Sequence, residues 1–145
     1  MSRQIKGFSL IELLLVLVIT ISILALVSPR IVNSLDSIQL KRLSRDIAGS
    51  LRATRALAIT KGSETTWLVD FDQHHYRYTN KTKNYSDKID LTLTTASKQQ
   101  ISQRVATIRF FPDGSSTGGE LIISQEKFNY TIQINWLTGR IKIYD

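Results

Sequence analysis

The sequence lacks cysteine altogether, and it has only two prolines, seven glycines and two histidines in 145 residues. Without cysteine, a disulfide framework, a thiolate metal site and a cysteine nucleophile are all excluded. The histidines, His74 and His75, are adjacent, so on a strand they point to opposite faces and cannot chelate one metal ion together. The chain also lacks a Gly-x-Ser-x-Gly nucleophile elbow and the Gly-Lys-Ser/Thr of a phosphate loop. We therefore expect no enzyme activity, no cofactor and no metal site.

Charged residues are almost absent from one long segment near the N-terminus. Between Phe8 and Ser28 the single ionisable side chain is Glu12. As a helix rising 1.5 Å per residue, residues 8–27 would be about 30 Å long, which matches the hydrocarbon core of a bilayer. The sequence therefore predicts a transmembrane helix over residues 8–28.

Glu12 conflicts with its apolar surroundings. A carboxylate inside a membrane helix costs on the order of 2.5–3.5 kcal/mol on insertion scales, so a positive partner is expected to offset the charge. The alternative is that Glu12 lies at the interface of a simple single-pass anchor, where it needs no partner.

The net charge of +7 is concentrated in the segment that follows, residues 29–61. This segment contains seven basic and two acidic residues, whereas residues 62–145 contain ten basic and nine acidic ones. Its apolar positions follow a helical period and form two stripes on nearly opposite faces. The first stripe, predicted to pack on neighbouring subunits, is Ile31, Leu35 and Ile38; the second, predicted to pack on the chain's own sheet, is Leu40, Leu43, Ile47, Leu51 and Ala58. The cations Lys41, Arg45 and Arg52 are expected on a third, solvated face.

After Gly62-Ser63, which is typical of a helix end, the period of the pattern changes to two. Alternating apolar residues predict strands around Trp67 and from Tyr130 to Trp136, and the latter is expected to form a hairpin with Ile141–Ile143 across a glycine turn. Residues 80–88 and 115–119 are polar and are expected to be loops, the second of them flexible. The predicted fold class is α+β, with a long N-terminal helix, transmembrane and then amphipathic, packed on an antiparallel sheet.

The N-terminal segment Lys6-Gly7-Phe8-Ser9-Leu10-Ile11-Glu12, followed at once by the apolar run, resembles the signal of type IV pilins and type II secretion pseudopilins. The resemblance implies a leader, residues 1–7, that a membrane prepilin peptidase removes between Gly7 and Phe8 before methylating the amine of Phe8. It also implies that Glu12 pairs with the N-terminal amine of a neighbouring subunit during assembly. The resemblance therefore implies a single-pass protein of the bacterial inner membrane. Residues 8–28 would lie in the lipid, residues 29–61 would form an amphipathic stem and residues 62–145 a periplasmic head.

The head carries a second set of motifs. Phe110-Phe111-Pro112-Asp113-Gly114-Ser115 with Gly118-Gly119, Trp67-Leu68-Val69-Asp70 and Thr138-Gly139-Arg140 resemble the H-type minor pseudopilins of the GspH/FimT family. The resemblance implies a pilin-like fold and a minor pseudopilin near the tip of the periplasmic pseudopilus, which drives protein export across the outer membrane. The implied partners are other major and minor pseudopilins, the prepilin peptidase/methyltransferase, inner-membrane lipid, and secreted substrates or the outer-membrane channel.

An alternative function comes from the same family. FimT-like minor pilins bind DNA during uptake through a C-terminal Gly-Arg-x-Arg, and the corresponding residues here are Gly139-Arg140-Ile141-Lys142. Arg140 and Lys142 would share one face of a strand and could contact phosphates. Two cations give little affinity at physiological salt, and the nearly neutral head favours secretion.

Overall fold

The computed structural model describes residues 9–95, 100–102 and 104–145. Residues 1–8, and with them the predicted leader and the cleavage residues Gly7 and Phe8, lie outside this description. Within the described part of the chain the elements are one helix, α1 (Leu10–Lys61), and nine strands: β1 (Thr65–Asp70), β2 (His75–Tyr78), β3 (Lys81–Asn84), β4 (Asp90–Thr94), β5 (Gln100–Ser102), β6 (Val105–Phe110), β7 (Gly119–Gln125), β8 (Phe128–Ile134) and β9 (Ile141–Tyr144).

The chain divides into two compact units, of which the first ends at Asp36 and the second is Ser37–Asp145. Helix α1 contributes residues to both units. It ends as the sequence predicts, because Gly62 adopts a positive φ of 63° and the amide of Ser63 donates to the carbonyl of Ala58 at 3.3 Å. Among the described residues, no helix is found that is both long and apolar enough to cross a membrane.

The strands of the second unit form two antiparallel sheets. The first has the order β3-β2-β1-β6-β5 and the second the order β4-β7-β8-β9. The predicted final hairpin is present, with Ile132 opposite Ile143 and Ile134 opposite Ile141. The α+β fold class is therefore confirmed.

The core of the second unit lies between these sheets and one face of α1. The stripe that we predicted to face the sheet does so: Leu40, Ile47, Leu51 and Ala58 have no exposed surface, and Leu43 packs partly buried beside them. The largest buried side chain, Trp67, stacks on Tyr76 and donates its indole N–H to the hydroxyl of Ser50 at 2.8 Å. This bond satisfies the one polar group of the indole inside an apolar core. Burial raises the pKa of Tyr76 well above its usual range.

Three expectations about the head were wrong in part. Residues 81–84 are not a loop but the edge strand β3, which follows a tight turn at Thr79 (φ 51°) and pairs along one side with β2. β3 is held by backbone hydrogen bonds to β2, and all four of its side chains are exposed. Its sequence therefore lacks the alternating apolar residues by which a strand is predicted. Residues 115–119 are not a flexible solvent loop, since Ser116 and Gly118 are buried. Trp136 lies beyond the end of β8 and is 66% exposed.

Candidate functional site

The first candidate surface is the apolar part of α1. Every side chain from Ser9 to Leu24 is exposed, and the large aliphatic ones between Leu10 and Leu24 expose 50–84% of their surface. The two hydroxyls between Leu10 and Leu24 are satisfied within the helix, because Thr20 donates to the carbonyl of Val16 at 2.7 Å and Ser22 to that of Val18 at 2.8 Å. Apart from Glu12, the side chains between Leu10 and Leu24 present no free polar group, and such a surface suits an apolar environment, either lipid or packed helices.

Glu12 is the exception in this surface, as predicted. It lies in the first turn of α1, and its amide donates to the carbonyl of Ser9 at 3.1 Å. A negative charge is favourable near a helix N-terminus, where backbone N–H groups have no partner in the helix. No cation lies within ion-pair distance of Glu12 in the part of the chain that the structure describes. Its pairing with another subunit's amine stays a prediction.

The second candidate surface is built from two turns of the head. In the first, the carboxylate of Asp113 accepts hydrogen bonds from the Ser115 amide at 2.9 Å and the Ser115 hydroxyl at 2.6 Å. These bonds hold the pKa of Asp113 below its usual range. Between them, Gly114 takes a φ of 84° and its amide donates to the carbonyl of Phe111 at 2.9 Å. The Pro-Asp-Gly-Ser motif is thus a closed turn, and its polar side chains bond locally.

The second turn joins β8 to β9. The side-chain oxygen of Asn135 accepts from the amides of Leu137 and Thr138 at 3.1 and 2.9 Å and from the Thr138 hydroxyl at 3.0 Å. The amide of Gly139, with φ 59°, donates to the Asn135 carbonyl at 2.8 Å. The turn leaves Leu137, like the neighbouring Trp136, largely exposed at 63%.

The two turns meet, and one arginine joins them. A Cβ atom built on Gly139 would collide with the carbonyl oxygen of Gly114, so the close approach requires glycine. Arg55, on α1, donates its Nε to that same carbonyl at 2.9 Å and lies against both glycines. The sequence motifs at Gly114 and Gly139 therefore form one structural junction on the helix. Sequence reasoning missed Arg55, because it belongs to neither apolar stripe and no motif contains it.

Beside this junction lies a cleft lined by Arg52, Arg55, Thr138, Gly139, Arg140 and Ile141. Arg52, exposed as predicted, donates its Nη2 to the carbonyl of Ile141 at 3.3 Å. Arg140 and Lys142 are both exposed and line a second shallow pocket together with Gln133, Asn135 and Thr138. The structure thus brings Arg140 and Lys142 to one surface, as expected, and adds two helix arginines that the sequence did not associate with them.

The known proteins to which this chain is similar are type II transport or secretion proteins. A family model described as "Type II transport protein GspH" matches residues 43–139. The chain is 29% identical over 143 residues to the type II secretion system protein H of Xanthomonas campestris pv. campestris, covering 97% of this chain and 83% of that protein. The structure of the minor pseudopilin EpsH from the type 2 secretion system of Vibrio cholerae aligns with a TM-score of 0.58 at 10% identity, over 73% of this chain and 96% of that one.

Proposed function

The chain belongs to the GspH family of type II transport proteins, and on this premise we propose that it is a minor pseudopilin of a type II secretion system. The observation that carries the proposal is the family match over residues 43–139, which include the packed face of α1 from Leu43 onward and the turn junction. The relative from Xanthomonas is named for the same secretion system. This agreement favours protein secretion over the DNA-uptake alternative.

In this role the apolar part of α1 anchors the chain in the inner membrane before assembly and contacts other pseudopilins afterwards. The exposed aliphatic surface up to Leu24, with its internally satisfied hydroxyls, supports both environments. The charge of Glu12 then favours the assembled subunit over the single subunit in lipid, because pairing with a subunit amine removes the cost of an unpaired carboxylate in lipid. The head stays in the periplasm, near the tip of the pseudopilus.

The proposed maturation begins at the N-terminus. The prepilin peptidase cuts between Gly7 and Phe8 and methylates the new amine, which becomes the positive group available to a neighbouring Glu12. The further partners are inner-membrane lipid and, at the distal end, the secreted proteins or the outer-membrane channel.

The experiment is deletion of the gene in its host, with complementation at native level. We expect exoproteins to accumulate in the periplasm of the deletion strain and to return to the medium with the intact gene. Secretion that is unaffected by the deletion, together with loss of DNA uptake, would reject the proposed function and support the alternative.

A further inference from the structure

Three arginines converge on the cleft beside the turn junction. Arg52 and Arg55 are three residues apart on α1, and Arg140 comes from the turn before β9. No acidic side chain is found among the described residues that line the cleft. Among the described residues, no carboxylate lies within ion-pair distance of these three arginines; the ion pairs found there include Lys83 with Asp46, Arg104 with Asp72 and Arg109 with Glu64.

Two of the guanidinium groups are held in place by backbone carbonyls. Arg55 donates to Gly114 at 2.9 Å and Arg52 to Ile141 at 3.3 Å. Each guanidinium has five N–H donors, so donors remain for a ligand after these bonds are made. The Gly114 carbonyl belongs to a hydrogen-bonded turn and the Ile141 carbonyl to strand β9, so both acceptors are fixed. Arg52 and Arg55 therefore do not have to be ordered when a ligand binds.

Like charges that share a cleft repel one another, and an anion relieves the repulsion. Guanidinium groups bind carboxylates with two parallel hydrogen bonds. We propose that the cleft lined by Arg52, Arg55 and Arg140 receives an acidic side chain from a neighbouring pseudopilin subunit. This inference rests on the proposed function and specifies one contact of the assembled state.

The surroundings favour a protein partner over a nucleic acid. Trp136 and Leu137, in the same turn as Arg140, are 66% and 63% exposed and offer an apolar contact beside the cations. Tryptophan and arginine are enriched among the residues that contribute most of the binding energy in protein interfaces. DNA affinity instead grows with the number of phosphates that Lys and Arg side chains neutralise, whereas the cleft and the adjoining pocket offer only the cations Arg52, Arg55, Arg140 and Lys142.

The test uses the full chain, co-expressed with the other minor pseudopilins of its system and purified in detergent through a tag. The cleft variant is Arg52→Gln with Arg140→Gln, both exposed positions, and Arg55 is left intact because it supports the Gly114 turn. The matched control is Lys41→Gln with Arg45→Gln, which removes two exposed cations of α1 that do not line the cleft. Both variants lose the same charge.

We expect the cleft variant to reach the membrane at the wild-type level and to melt close to the wild-type temperature, because the one bond lost, from Arg52 to Ile141, is long at 3.3 Å and comes from an exposed side chain. It should retain partner pseudopilins about tenfold less well. The control variant should retain them normally. In a strain carrying Arg52→Glu with Arg140→Glu, an Asp or Glu to Arg change in a partner pseudopilin should restore retention.

Equal retention by the cleft variant and the wild type would overturn the proposal and leave the secretion function standing. Equal loss in both variants would also overturn it, since net charge and not the cleft would then be responsible. Micromolar binding of duplex DNA by the wild-type chain, lost in the cleft variant, would assign the cleft to nucleic acid. If the wild-type chain retains no pseudopilin and its deletion leaves secretion intact, the proposed function itself fails and the contact fails with it.

Discussion

The junction between the two head turns makes Gly139→Ala the most informative stability test. At φ 59° an alanine Cβ crowds its own backbone, which costs roughly 1–2 kcal/mol. The same Cβ would collide with the Gly114 carbonyl oxygen and with the Arg55 side chain, so one turn has to shift. Overpacking of this kind costs typically about 1–3 kcal/mol. We therefore expect a total loss of roughly 2–5 kcal/mol in the free energy of unfolding.

Gly62→Ala is the matched control. Gly62 has nearly the same φ, 63°, but a Cβ built there has nothing within 4 Å. This variant should lose only the conformational part, about 1–2 kcal/mol. The difference between the two variants isolates the contact between the turns.

The assay is urea unfolding of the full chain in mild detergent, followed by tryptophan fluorescence. Trp136→Phe serves as the background, because it leaves the fully buried Trp67 as the single reporter of the core. Unchanged m-values would show that the variants differ in stability and not in the surface exposed on unfolding. If the Gly139 and Gly62 variants lose the same free energy within about 0.5 kcal/mol, the two turns do not contact each other as described.

Three further predictions concern the N-terminus and the Asp113 turn. Mass spectrometry of membrane-extracted protein should find the mature chain starting at N-methylated Phe8, and a bulky residue at Gly7 should block cleavage; an intact Met1 in the wild type would contradict the pilin-like maturation. Glu12→Leu should insert and be processed, since the insertion cost is removed, yet fail to assemble; normal secretion by this variant at native level would show that the charge is not needed. The lowered pKa of Asp113 means that its bonds to Ser115 stabilise the fold above the unfolded pKa of about 3.8, and that this stability is lost as pH falls through the lower folded value. Ser115→Ala should therefore lower the melting temperature at neutral pH by more than it does in strong acid, and a difference independent of pH would refute this origin.

Local and periodic features of this chain could be predicted from the sequence. The face of α1 from Leu40 to Ala58 was identified correctly because a helix repeats every 3.6 residues, so burial leaves a regular stripe. The end of α1 at Gly62 and the hairpin of β8 and β9 followed from turn chemistry and alternation, which also act over a few residues. The N-terminal motif likewise lies within one short segment.

The junction of Arg55, Gly114 and Gly139 was decided only by the tertiary structure. Gly114 lies 59 residues after Arg55 in the sequence, and Gly139 lies farther still. No helical or strand periodicity relates positions that far apart. The sequence shows that Gly139 precedes Arg140, but the reason for glycine is the carbonyl of a distant turn. Arg52 likewise looked like part of a solvated basic face until folding placed the Ile141 carbonyl beside it. The cleft exists because packing of both sheets on α1 brings these groups together, and such long-range proximity leaves no regular pattern in the sequence.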